Sequence, residues 1–153
     1  MGIAKDIHQT KFRNERHKAL INLLFTYGWA VERLKEFVSE EGITHQQFNI
    51  LRILRGSHPK PLSTLQIRER MLDKMSDTSR IVDRLVAKDL VKKTTCTADK
   101  RLVDVVITEK GQKLLKRVDA ETDSISNIMG KLSEKDAEML TTILDKLRGS
   151  EDE

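Results

Sequence analysis

Residues 63–111 read STLQIRERMLDKMSDTSRIVDRLVAKDLVKKTTCTADKRLVDVVITEKG, and this stretch decides the fold. Ser63 with Gln66 three residues later is a capping box: the hydroxyl accepts from a free helix amide while the glutamine reaches back. It opens a helix through about Met71. Ser76 or Asp77 caps the next, which runs to about Lys88 with Ile81, Val82, Leu85 and Val86 as its buried side. After Asp89 the apolar period drops from 3.6 to 2. Leu90–Thr95 and Leu102–Ile107 then read as two strands, with Thr97–Lys100 as the polar turn between them. The order is helix, turn, helix, β-hairpin.

Working outward, Thr108 caps a helix with Leu114, Leu115, Val118, Ile125 and Ile128 on its apolar side, interrupted at Gly130. Ser133 with Asp136 caps a last helix carrying Ala137, Leu140, Ile143, Leu144 and Leu147. Upstream, Gly56–Pro61 is a loop holding both prolines, and Thr44 with Gln47 opens a short helix whose face is Phe48, Leu51 and Leu54. Before it, roughly Thr10–Ser39 repeats Leu20, Leu24, Tyr27, Val31, Leu34 and Val38 at helical spacing, with Gly42 as a stop. Thirty helical residues span ~45 Å. The apolar faces of residues 10–39 and 118–148 exceed what so small a domain can cover, so a second copy of the chain is expected against them.

Composition agrees with a mainly α fold bearing a small β-hairpin. The chain has 153 residues, 38% hydrophobic and 34% charged, with 2 prolines, 7 glycines and 4% aromatics, too few turn and aromatic residues for a sandwich or barrel. One cysteine, Cys96, excludes an intramolecular disulfide and favours a reducing, cytoplasmic setting. No apolar run approaches the ~18 residues of a membrane span. The polar N-terminus lacks a signal-peptide core, and Asp6 stands where a myristoylation signal has Ser or Thr. Charge is unevenly spread: residues 52–117 hold 17 Lys/Arg against 8 Asp/Glu, residues 118–153 hold 4 against 10, and residues 1–51 hold 7 against 6. A basic middle segment suits a polyanion, although a solvated lysine-rich surface has the same composition.

Helix, turn, helix, hairpin is the winged helix–turn–helix layout, whose second helix enters the DNA major groove. A reading helix needs an apolar back and a polar N-terminal front. Here the back is Ile81, Val82 and Leu85, and the front is Ser76, Asp77, Thr78, Ser79 and Arg80. Arg80 can donate two bonds to a guanine, and the hydroxyls suit bases or phosphates. The competing reading is an ordinary surface helix with a serine cap.

Asp83-Arg84-Leu85, then Asp89-Leu90-Val91, Asp99-Lys100-Arg101 and Ile107-Thr108-Glu109-Lys110-Gly111 together resemble the MarR-type regulators, over about residues 40–148. Their pattern runs Asp-Arg-Leu, Gly-Leu-Val, Asp-x-Arg and Leu-Thr-x-x-Gly. The resemblance implies that Arg101 is a wing arginine entering the minor groove, oriented by Asp99, with Lys100 meeting phosphate at the same tip. Arg84 resembles a backbone-positioning contact, and Asp83 a structural residue. It further implies a homodimer: residues 10–39 and 118–148 serve as dimerisation helices, and about 44–117 as the DNA-binding lobe of a single domain, reading a pseudo-palindromic operator in double-stranded DNA. Two departures stand out. Asp89 replaces the usual glycine, although aspartate tolerates the left-handed backbone that glycine supplies. Leu65–Arg70 lacks the usual Leu-Ala pair.

Other chemistry finds little support. The four histidines have no ligand spacing, so no metal site or other cofactor is expected. No phosphate-cradling glycine loop or catalytic motif appears, so the chain is not expected to be an enzyme. Cys96 would lie on the wing, either inert or sensitive to oxidation. Tyr27, Trp29 and Phe48 are either core or the lining of a small-molecule effector pocket between arms and lobe, such as releases DNA in family members. The functional expectation is a transcriptional regulator, a repressor acting by occupancy. The alternative is a winged-helix docking module that reads no DNA.

Overall fold

The computed structural model describes residues 2–95, 103–120 and 128–150. Its elements are α1 (Ile3–Asp6), α2 (Glu15–Ser39), α3 (His45–Ser57), β1 (Leu62–Ser63), α4 (Thr64–Arg70), α5 (Thr78–Ala87), β2 (Val91–Thr95), β3 (Val103–Ile107), α6 (Glu109–Ala120) and α7 (Glu134–Arg148). The three capping boxes form as read: Thr44 with Gln47 opens α3, Ser63 with Gln66 opens α4, and Ser133 with Asp136 opens α7. The first long helix begins later than Thr10. Asn14 caps it, accepting from the His17 amide at 2.9 Å, because a short polar side chain there relieves a free donor.

The core gathers around α3, whose Ile50, Leu51 and Leu54 are fully buried together with Ile67 of α4, Val82 and Leu85 of α5, and Leu115 of α6. β2 and β3 pair antiparallel from Val91 opposite Ile107 to Thr95 opposite Val103. The strand period of two sends Val91, Val105 and Ile107 into that core. Leu62 and Ser63 add a third strand on the other edge of β3, opposite Val105 and Asp104. Two residues are too few to display an alternating pattern, so the hairpin is one edge of a three-stranded sheet. Val86, read as part of the buried side of α5, is exposed; that side is Val82 and Leu85, with Ile81 half-buried.

The apolar stripe on α2 exists but is not covered by its own chain. Only Val38 is buried; Leu20, Leu24 and Tyr27 face solvent. No residue of α7 is buried, and its Leu140, Ile143 and Leu147 meet Leu20 and Leu23 of α2 across an open groove of about 540 Å³. By contrast, α6 is anchored at both faces. Leu114, Leu115 and Val118 enter the core. On its outer side Arg117 donates to both carboxylate oxygens of Glu41, at 2.7 and 3.0 Å, and Arg55 of α3 pairs with Asp119. The Arg117 hydrogen bonds hold the Glu41 carboxyl below its ordinary value.

Candidate nucleic-acid interface

The front of α5 is built by the connection that precedes it. Asp77 is the cap, its Oδ1 accepting from the Arg80 amide at 3.1 Å. Ser76 instead donates from Oγ to Asp73 Oδ2 at 2.8 Å, and this bond with one from the Met75 amide lowers the Asp73 carboxyl pKa. Thr78 corrects the sequence reading: it is buried and its hydroxyl points to Met71 Sδ at 3.3 Å. A residue one step into a helix whose next turn buries Val82 falls on the inner face. The outward front is therefore Ser79 and Arg80, with Arg84 one turn further along the same side and all three exposed.

Asp83 pairs with Lys93 of β2, tying α5 to the hairpin. Between the starts of α4 and α5 lies an open cleft of about 520 Å³, lined among others by Thr64, Leu65, Arg68, Met75 and Ser79. Arg68 was not singled out from sequence. Its signal was the helical period of α4, which buries Ile67 and turns Arg68 outward. Asp99, Lys100 and Arg101, expected on the wing, and Cys96 with them lie outside the described residues.

The base of the hairpin is described in full, and it explains the second half of the motif. Asp89 takes the left-handed conformation at φ 59°, as its place in the pattern requires. The turn is stitched by Thr108: its amide donates to Leu90 O at 3.0 Å, and its hydroxyl to Asp89 O at 2.8 Å. The same oxygen caps α6, accepting from the Gly111 amide at 3.1 Å. Gly111 has no room for a side chain, since a Cβ there would sit 2.4 Å from Leu90 O and 2.8 Å from Ile107 Cγ1. Thr-x-x-Gly thus locks α6 onto the turn between α5 and β2.

An apolar pocket of about 200 Å³ lies where α2, α3 and the 71–73 segment meet, lined by Leu34, His45, Phe48, Asn49, Arg52 and Met71–Asp73. Phe48 belongs to the core and also lines this pocket. Tyr27 and Trp29 do not; they lie earlier on α2 and are 63% and 39% exposed. The Arg52 guanidinium lies 5.7 Å from the Phe48 ring centroid, and burial with the nearby Lys35 charge lowers the His45 pKa. Among the described residues no cluster of His, Cys, Asp and Glu is placed to hold a metal ion, and no helix is long and apolar enough to cross a membrane.

Residues 43–103 match the model of the MarR family. The chain is 27% identical over 131 residues to the HTH-type transcriptional regulator MhqR of Bacillus subtilis (strain 168), covering 85% of this chain and 89% of that one. A MarR transcription factor from Planctomyces limnophilus superposes with a TM-score of 0.66 at 29% identity, over 88% of this chain and 98% of that one. A mutant Escherichia coli MarR crystallised with operator DNA superposes with a TM-score of 0.79 at 21% identity, over 90% and 99%.

Proposed function

The chain belongs to the MarR family, and from that premise we propose that it binds operator DNA as a homodimer and represses transcription by occupancy. It is a DNA-binding transcriptional regulator. The observation that carries the reading is the outward front of α5, where Ser79, Arg80 and Arg84 stand exposed on a helix fixed by the Asp77 cap and the Asp83–Lys93 pair. A helix held at its back with a polar, cationic front is what major-groove readout demands. Arg80 is the base-reading residue, with Ser76, Asp77 and Ser79 around it, and Arg84 fixes register on the backbone. Lys100 and Arg101, supported by Asp99, carry the wing contact.

Residues 44–117 form the reading lobe of the single domain, and residues 10–39 and 118–148 form the arms. The uncovered apolar faces of α2 and α7 support a second copy packed against them, and two-fold symmetry then sets a pseudo-palindromic site. The 200 Å³ pocket between α2 and α3 suits a small, largely apolar effector that releases the DNA. The protein acts in the cytoplasm and catalyses nothing.

Selection of preferred duplexes from a random pool tests the core of this reading. A two-fold symmetric consensus is expected, with affinity falling steeply as salt rises, because each phosphate contact releases counterions. A flat salt response with no consensus would return the docking-module alternative.

A further inference from the structure

We propose that Asn49, which lies on α3 outside the helix–turn–helix pair, is a positioning residue for DNA reading, because its carboxamide fixes the connection that sets where α5 begins. The inference rests on the role of the α5 front proposed above.

The connection runs from the end of α4 at Arg70 to the cap of α5 at Asp77 and has no regular structure. Its path must therefore be set by individual bonds. Most of these are local. The Met71 amide continues the last turn of α4 through Arg68 O at 3.3 Å. Asp73 accepts from the Met75 amide at 3.0 Å and from Ser76 Oγ at 2.8 Å, folding residues 73–76 onto themselves. Met71 is buried and takes the Thr78 hydroxyl, which pins the two ends of the connection to each other.

The middle is tied elsewhere. The Leu72 amide donates to Asn49 Oδ1 at 3.0 Å, across 23 residues. The Leu72 side chain gives no hold of its own, being 86% exposed. Among the described residues, the Asn49 bond is the hydrogen bond that ties residues 72–76 to an element outside α4 and α5; Lys74 Nζ donates to the Glu69 carbonyl of α4. Without the Asn49 bond the 73–76 turn hangs from α4 through Met71 and the long Lys74 side chain, and the Asp77 cap with Ser79 and Arg80 loses its fixed start. Base readout tolerates little of this, since donors must meet base edges within about 0.5 Å of their proper place. Phosphate contacts, which follow charge more than geometry, tolerate more.

The test compares wild type, Asn49→Ala and Asn49→Asp, the last retaining an acceptor at the same position. Each is titrated with the duplex that wild type selects from a random pool and with a shuffled duplex of equal length and composition. Hydrogen exchange at the Leu72 and Ile67 amides is followed in parallel. For Asn49→Ala the ratio of selected to shuffled affinity is expected to fall about five- to tenfold, the loss of one net hydrogen bond. Leu72 should exchange faster while Ile67 keeps its protection. Asn49→Asp should restore the ratio to within about twofold. An unchanged ratio in Asn49→Ala, equal losses on both duplexes, failure of that variant to fold, or no recovery in Asn49→Asp would each overturn the positioning role. A wild-type protein that prefers no duplex brings down the DNA reading itself, and this inference with it.

Discussion

Gly111→Ala isolates the contact that joins the wing base to α6. The new Cβ would lie 2.4 Å from the carbonyl oxygen of Leu90 and 2.8 Å from Ile107 Cγ1. The first neighbour is backbone and cannot swing aside, because it accepts from the Thr108 amide. Relief requires α6 to lift from the turn, which also stretches the 3.1 Å bond from the Gly111 amide to Thr108 Oγ1. Overpacking of this kind costs about 1–3 kcal/mol, and the weakened cap adds about 1 kcal/mol. Alanine's better helix propensity offsets about 1 kcal/mol. The net expectation is a loss of about 2 kcal/mol. Gly56→Ala is the matched control: it lies within α3, a Cβ there meets nothing within 4 Å, and it should gain about 0.5–1 kcal/mol. Urea unfolding at one fixed protein concentration reads both, since the proposed dimerisation would make stability concentration-dependent. If the two variants moved in the same direction, or Gly111→Ala left the midpoint unchanged, the close-approach argument would be wrong.

Four further outcomes can be checked. Asp89 sits at φ 59°, so Asp89→Val should lose about 1–2 kcal/mol in urea unfolding while Asp89→Gly loses nothing. The Glu41 carboxyl is held below its ordinary value of 4.5 by Arg117, so the pair stabilises fully above that value and its contribution fades as pH falls through the lower folded one. Glu41→Gln should therefore trail wild type by about 0.5 kcal/mol at neutral pH and converge with it by about pH 3, the exposed geometry keeping the gap small; a pH-independent gap would contradict this. Ile143→Glu places a charge on the open α2–α7 groove and should yield a folded monomer in sedimentation equilibrium; an intact dimer would move the interface elsewhere. Arg80→Ala should weaken binding to the selected duplex by about 1–3 kcal/mol and relax the consensus at one position per half-site, and an unaltered consensus would remove Arg80 from base readout.

The sequence was most legible where one residue type answers one local need. Thr44, Ser63 and Ser133 with their partners three residues on announced three helix starts, because a capping box is complete within four residues. Asp89 was legible through the resemblance: it stands where the family pattern has glycine, and aspartate tolerates the left-handed backbone that glycine supplies. What stayed hidden depended on distant chain. β1 is two residues long and exists through its pairing with β3. Thr78 looked like part of a polar front, yet the turn that places it also brings Met71 beneath it. Tyr27 and Trp29 were hidden in the same way, since helical spacing cannot say whether Tyr27 faces a cavity or open solvent. Thr108 and Gly111 were recognised as a pattern, but their work became apparent through contacts with Asp89 and Leu90 across the sheet.

The distribution of strong and weak bonds across the chain bears on how such a reader works. Within the lobe, α5 is held by fully buried Val82 and Leu85 and by a cap, interactions that together cost several kcal/mol to break. Where the proposed lobe meets the proposed arms, α6 does two jobs. Its inner face belongs to the core, while its outer face reaches Glu41, two residues past the end of α2, and Arg55 of α3 through exposed ion pairs. Exposed pairs contribute about 0–1 kcal/mol each and weaken with salt. Phe37 near the end of α2 adds an edge-on contact to Phe48 at 6.2 Å, again modest beside the core. Val38 of α2 and Val118 of α6 are buried in the same core, so the joint is firm at its centre and soft at its rim. In the proposed two-fold assembly, that soft rim would let two lobes adjust their spacing to a pair of half-sites. The 200 Å³ pocket borders the same joint through Leu34 and Phe48, so a molecule filling it would act where α2 meets α3.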